Sequence, residues 1–233
     1  MYDYGRLVFL DNQKTGSTFV SKFLETCCTL DRVKHPKGMK HVPVRSFYDK
    51  ENTYFATVRE PFALYSSLFR YGVDQKGSTW KGLKKRKLLH LYESFPDWLE
   101  FVLDDKNAAI FDTQFGKFAH LGVGLMSYRA MRITVPWPQK AFHGVETYDA
   151  LIKRWEKRQI SNYIFKQENL NESLRDFAQN TVPDFFDMDK VNAFLDAPQE
   201  VNVTGVRAKL EFPEDLRQEI ARKERFLLEK FYT

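Results

Sequence analysis

Cysteine is nearly missing from this sequence: Cys27 and Cys28 are the only two in 233 residues. Adjacent cysteines rarely bridge one another, so no disulfide framework exists, and no spaced set of His, Cys and carboxylates suits a metal. A reducing compartment is the simplest reading. Long hydrophobic runs are missing too. No window nears the roughly 18 apolar residues of a membrane span, and Leu7 to Leu10 is far too short for the core of a signal peptide. The expectation is a cytoplasmic protein with no membrane span, in which the N-x-[ST] matches at Asn171 and Asn202 carry no glycosylation reading. Excess charge is slight. Against 31 acidic residues there are 36 basic ones, a formal +5, which permits an anionic ligand but does not by itself indicate nucleic acid. No repeat, low-complexity tract or linker interrupts the chain, so residues 1–233 read as a single domain. Apolar side chains are plentiful, at 43% hydrophobic and 15% aromatic, enough to bury a full core.

Arg6 to Asp11 reads as a short buried strand. Thr15 to Leu30 reads as a helix, because Phe19, Val20, Phe23, Leu24 and Cys27 recur at helical spacing. A second strand, Thr53 to Val58, leads through Arg59 and Glu60 to a helix over Phe62 to Tyr71, with Pro61 at its start. The same strand, loop and helix unit thus occurs twice. Between the two lies irregular chain with one short strand expected near Val42 to Val44. Helices are expected in ESFPDWLEFVLDD, entered after Ser94, and in ETYDALIKRWEKRQ, NESLRDFAQN and DMDKVNAFLD. NYIFKQENL reads as a strand running into a loop, and one long closing helix follows Pro213. Strands alternating with helices imply an α/β fold with a mainly parallel central sheet flanked by helices.

In such a sheet, ligands gather beyond the carboxyl ends of the strands, where loops enter helix N-termini whose free amides attract anions. Asn12 to Thr18 occupies that place. Gly16 allows close approach of the main chain, Ser17 and Thr18 add hydroxyls, and Lys14 adds a full positive charge. The order Lys-Thr-Gly-Ser-Thr is not the nucleoside-triphosphate P-loop, whose lysine follows its second glycine. Read alone, the loop also fits a capped helix with a surface lysine. In the second unit Arg59 ends a strand and Ser67 lies about two helical turns further on, so a guanidinium and a hydroxyl could meet one phosphate. The plainer alternative pairs Arg59 with Glu60 or another carboxylate and leaves Ser67 in solvent.

Taken together and in this order, the two loops resemble those of the sulfotransferases that use 3′-phosphoadenosine-5′-phosphosulfate (PAPS). QKTGST resembles that family's 5′-phosphosulfate loop, and VREPFALYSS its 3′-phosphate motif, an Arg with a Ser eight places later. SFPDWLEFV is similar to the Phe-rich helix after the second motif, FKQENL to a Glu-Asn-Leu segment, and VNVT to a late Val-Asn-[Ser/Thr] turn. The carbohydrate-acting branch fits better than the aryl and steroid branch, whose C-terminal Gly-rich segment is not found here. The resemblance implies a P-loop-like three-layer fold and transfer of a sulfuryl group to a hydroxyl of a carbohydrate-like or other small acceptor. It implies that Lys14, Thr15, Gly16, Ser17 and Thr18 hold the 5′ side of the donor and Arg59 and Ser67 its 3′-phosphate. No metal is implied, and adenosine 3′,5′-bisphosphate (PAP) is the product. The membrane anchor usual for that branch is not seen, which fits a bacterial or similar cytoplasmic enzyme.

Such chemistry needs a base near the sulfur. His41, between the two motifs, resembles the histidine some glycan-acting members carry there and is the first candidate, with Lys14 as the group that neutralises the leaving oxygen; a surface histidine in a basic loop is the alternative. His120, His143 and His90 suit loop, packing or helix-face roles, and Glu60 follows Arg59 too closely. The acid-free stretch KGSTWKGLKKRK reads either as a solvated face or as a basic lip for an anionic acceptor, with Trp80 and Lys81 at its centre. Trp137, Asp112 and Gln114 are further acceptor-side candidates. Two rival readings are a nucleotide kinase, which would need magnesium, and a non-catalytic module binding nucleic acid or polyanion, whose affinity would fall steeply with salt.

Overall fold

The computed structural model describes residues 1–35, 40–197 and 210–233. Its chain divides into two compact units, one made of Met1–Arg59, Ala130–Ala141 and Trp155–Val203, the other of Glu60–Arg129, Phe142–Arg154 and Thr204–Thr233. The architecture is α/β. The sheet belongs to the first unit and has four strands in the order β1 (Tyr2–Asp3), β2 (Leu7–Leu10), β3 (Thr53–Val58) and β4 (Tyr163–Lys166). β1 runs antiparallel to β2, while β2, β3 and β4 are mutually parallel. The two-residue β1 is too short to show a period, and the sequence does not announce it.

Both faces of the sheet are covered, and the alternation of side chains along each strand explains how. Leu7, Phe9, Phe55 and Phe165 point to one face, where Val20, Phe23 and Leu24 of α1 (Ser17–Cys27) and Leu170, Leu174, Phe177 and Val191 pack. Phe9 and Phe55, opposite one another in the register, stack with ring centroids 5.0 Å apart. Val8, Leu10, Tyr54, Ala56 and Ile164 face the other way, against Val44, Phe47, Ile133 and Ile160. Val44 reaches that core from irregular chain, and no strand forms at Val42 to Val44. Pro43 lacks the amide a ladder needs, and the Val44 carbonyl instead accepts from the Trp137 amide at 3.3 Å.

The expected helix at Thr15 begins two residues later, at Ser17, and ends at Cys27, after which Cys28 forms an isolated bridge with Phe186. Both thiols are free, and burial pushes that of Cys27 up to about 11. Since the thiolate is the nucleophile, Cys27 should resist iodoacetamide near neutral pH until denaturant is added; equal labelling rates in native and unfolded protein would contradict this burial. NESLRDFAQN is helical over Leu170–Asp176, and its last turn loosens into a π turn, Phe177–Thr181.

The second unit is helical. α2 (Pro61–Val73) starts as its sequence suggests, with the Glu60 carboxylate accepting from the amides of Phe62 (3.0 Å) and Ala63 (2.7 Å). α3 (Gly77–Lys85) carries the basic stretch, and α4 (Phe95–Leu103) is capped by Ser94, which accepts from the Asp97 amide at 3.4 Å. The closing helix is not continuous. It breaks at Glu224 between helices Glu214–Lys223 and Arg225–Phe231, because that fully buried carboxylate accepts from the Tyr65 hydroxyl (2.6 Å) and from the amides of Met126 (3.1 Å) and Ser127 (2.7 Å). Among the described residues no helix is long and apolar enough to cross a membrane.

Candidate functional site

The three parallel strands end on the same side, since the register sets Leu10 beside Ala56 and Val58 beside Lys166. From β2 the chain passes through Asp11–Gly16 into α1. This loop is riveted to β3. The buried Thr15 hydroxyl donates to the Asn12 carbonyl at 2.9 Å and lies 2.6 Å from the Thr57 hydroxyl. A hydroxyl has one proton, so with that of Thr15 already given to Asn12, Thr57 is the donor of the second bond. Asn12 Nδ2 in turn donates to the Thr57 carbonyl at 3.3 Å. Thr15 is therefore a brace. Its hydroxyl is spent inside the loop and its side chain is fully buried, which leaves only its main chain to face a ligand.

Lys14 and Gly16 both take left-handed backbone angles, φ 68° and 88°. For Gly16 this is inexpensive, and a side chain would also be crowded: a Cβ there would come within 3.0 Å of Leu170 Cδ2 and 3.3 Å of Gln167 Cγ, which would have to shift to admit it. The FKQENL segment after β4 thus packs on the loop, two stretches of sequence 150 residues apart meeting at one glycine. For Lys14 the same angle costs on the order of 1–3 kcal/mol, strain of a kind that collects at functional sites. α1 itself has no side-chain cap at Gly16 and no acidic residue in its first turn. Its N-terminal amides and dipole favour an anion, with Ser17 largely buried and Thr18 half-buried beside them.

Arg59, the residue after β3, reaches the same loop. Its Nη1 donates to the Lys14 carbonyl over a long 3.4 Å. The first unit therefore joins two cationic residues that lie 45 positions apart. Ser67, the expected companion of Arg59, lies half-buried on α2 in the second unit.

His41 is tied to the root of the loop. Its Nδ1 is 3.1 Å from the Asp11 carbonyl and 3.1 Å from Asp11 Oδ1. Both are acceptors, so Nδ1 carries a proton, and in the neutral ring the lone pair is on Nε2. The aligned hydrogen bond goes to the carbonyl, whereas the Asp11 carboxylate, with no exposure at all, makes no aligned hydrogen bond and faces the ring. His41 is also left-handed, at φ 57°, and its carbonyl accepts from Arg132 Nη2 at 3.1 Å. The imidazole remains 31% exposed. The sequence marks neither partner: Asp11 closes the expected strand Arg6 to Asp11, and Arg132 lies in no motif. The only available signal was an acid directly preceding the cationic loop.

The acceptor-side candidates belong to the second unit, apart from Trp137. Trp80, on α3, is half-buried and one face of its ring is covered by Lys84 Nζ, 4.6 Å from the centroid. Lys81 is exposed on the same helix. Asp112 Oδ1 accepts from the amides of Gln114 (2.8 Å) and Phe115 (3.2 Å), just ahead of a short 3-10 turn, Phe115–Lys117. Gln114 is half-buried. His90, His120 and His143 are exposed on the second unit. Trp137, on the first unit, is 40% exposed. The VNVT turn and Asn202 lie outside the described residues. Among those described, no three His, Cys, Asp or Glu side chains gather as a metal would require. Compared with known proteins, the chain matches no family model, no curated protein and no solved structure.

Proposed function

We propose that this protein is a sulfotransferase of P-loop-like three-layer fold, moving a sulfuryl group from PAPS to a hydroxyl of a carbohydrate-like or other small acceptor. One observation carries the reading. The Lys14–Thr18 loop and Arg59, which the sequence picks out separately as anion-binding groups, are in contact at the carboxyl ends of adjacent parallel strands, next to an uncapped helix N-terminus. The donor set fits a doubly phosphorylated ligand: an ammonium group, two hydroxyls, helix amides and a guanidinium, with no acid in the first turn of α1 to repel it.

When bound, PAPS would supply an activated sulfuryl group on a phosphate leaving group. The chain's work is to position and to neutralise, as in phosphoryl transfer. Lys14 balances negative charge on the departing oxygen, and the α1 amides with Ser17 and Thr18 hold the 5′-phosphate. Arg59 takes the 3′-phosphate, with Ser67 assigned beside it on the resemblance of VREPFALYSS alone. His41 accepts the proton of the acceptor hydroxyl at Nε2.

Calorimetry with PAP tests the assignment at its simplest. Arg59→Ala should weaken PAP binding by about 10- to 100-fold, the value of one or two charge-assisted hydrogen bonds, with the fold retained. Undetectable binding of PAP to the unaltered protein would reject the proposal.

A further inference from the structure

We infer that Asp11 is a positioning residue for His41, holding the imidazole with its proton on Nδ1 and stabilising the imidazolium formed when Nε2 takes the acceptor's proton. The inference rests on the proposed sulfuryl transfer for its consequence, though not for its geometry.

Three observations converge on it. Nδ1 sits 3.1 Å from two acceptor oxygens of the same residue, so only one tautomer satisfies the contact. The Asp11 carboxylate is fully buried and has no aligned hydrogen bond. A group so placed is costly to keep unless a charge compensates it; the imidazole lies 3.1 Å from it, and the Met1 amino group also interacts with its charge. The third observation is the backbone. His41 is held left-handed at φ 57° and clamped through its carbonyl by Arg132, an arrangement that keeps the ring at the root of the Lys14 loop. A histidine there for packing alone would need neither a buried acid nor a strained main chain.

In the transfer step the acceptor oxygen forms a bond to sulfur while the sulfur–oxygen bond to the phosphate breaks, its electron pair leaving with the bisphosphate. The acceptor's proton moves to His41 Nε2. The ring then carries a positive charge, and Asp11 lies against its other nitrogen. This is the division of labour that a buried acid and a histidine show in acyl transfer, reached here on a sheet end.

Two measurements test it. Nitrogen-15 spectra of the unaltered protein, recorded without nucleotide, should show His41 protonated on Nδ1 in its neutral form; protonation on Nε2 overturns the inference whatever the activity. Second, Asp11→Asn should lower kcat by about 10²- to 10⁴-fold with KM for PAPS little changed. The same change in a His41→Asn background should cost almost nothing more, because Asp11 acts through the ring. An equal loss in both backgrounds would mean that Asp11 only supports the fold. Should Asp11→Asn fail to fold, the spectra of the unaltered protein decide alone. Failure of the sulfotransferase reading looks different: PAP does not bind, while the His41 spectrum still answers for Asp11.

Discussion

Lys14→Ala is expected to lower sulfuryl transfer by about 10²- to 10³-fold or more, the scale on which a single preorganised donor to a developing charge contributes. The loop should survive. Thr15, Asn12 and Thr57 brace it through hydrogen bonds that the substitution does not touch, and Arg59 donates to the Lys14 carbonyl, which alanine keeps. Alanine also keeps a Cβ, so the strain at φ 68° is neither relieved nor increased. A fall in kcat with an unchanged melting temperature and a modest change in PAP affinity would place the ammonium group at the leaving oxygen. Lys14→Arg should recover part of the rate, since charge is what the site asks for. Turnover equal to that of the unaltered protein would remove Lys14 from the chemistry.

The largest expected effect on stability lies elsewhere, in the second unit. Glu224→Ala should cost about 3–5 kcal/mol, because it strands a buried tyrosine hydroxyl and two helix amides that now share one carboxylate. Gly124→Ala should be similarly harmful by a separate route, since a Cβ there would overlap Glu224 Oε1 at 2.2 Å. Denaturant midpoints at constant slope would measure both, and a loss below about 1 kcal/mol would show that the network is dispensable. Alkali probes the same cluster. Burial first, and the neighbouring Glu224 carboxylate second, raise the Tyr65 hydroxyl well above its ordinary 10.0. In the unfolded chain that proton leaves near the ordinary value, so the stability from this shift is complete at lower pH. It drains away as the pH climbs past that point.

How much of this was legible in the sequence differs between the two units. Leu7–Leu10 and Thr53–Val58 were readable as strands because they are short apolar runs bounded by polar loops, and Pro61, Glu60 and Ser94 marked helix starts by chemistry that acts within a few residues. Both candidate loops were readable for the same reason: each is a local string of residues at a strand-to-helix passage. The break at Glu224 was not. Its cause is three donors from residues 65, 126 and 127, and a regular amphipathic pattern runs straight through it. Thr15 was legible as part of the loop but not as its brace, because the partner that spends its hydroxyl is Thr57 on the neighbouring strand.

The sequence by itself therefore determined the α/β class, the two cationic turns, and His41 as a candidate base, since propensity, capping and loop chemistry depend on near neighbours. Only the tertiary structure decided that Arg59 reaches the Lys14 loop, that Gln167 and Leu170 crowd Gly16, and that Asp11 stands behind His41. Those contacts join residues 30 to 154 positions apart. Strand register and burial set them, and no local pattern encodes either.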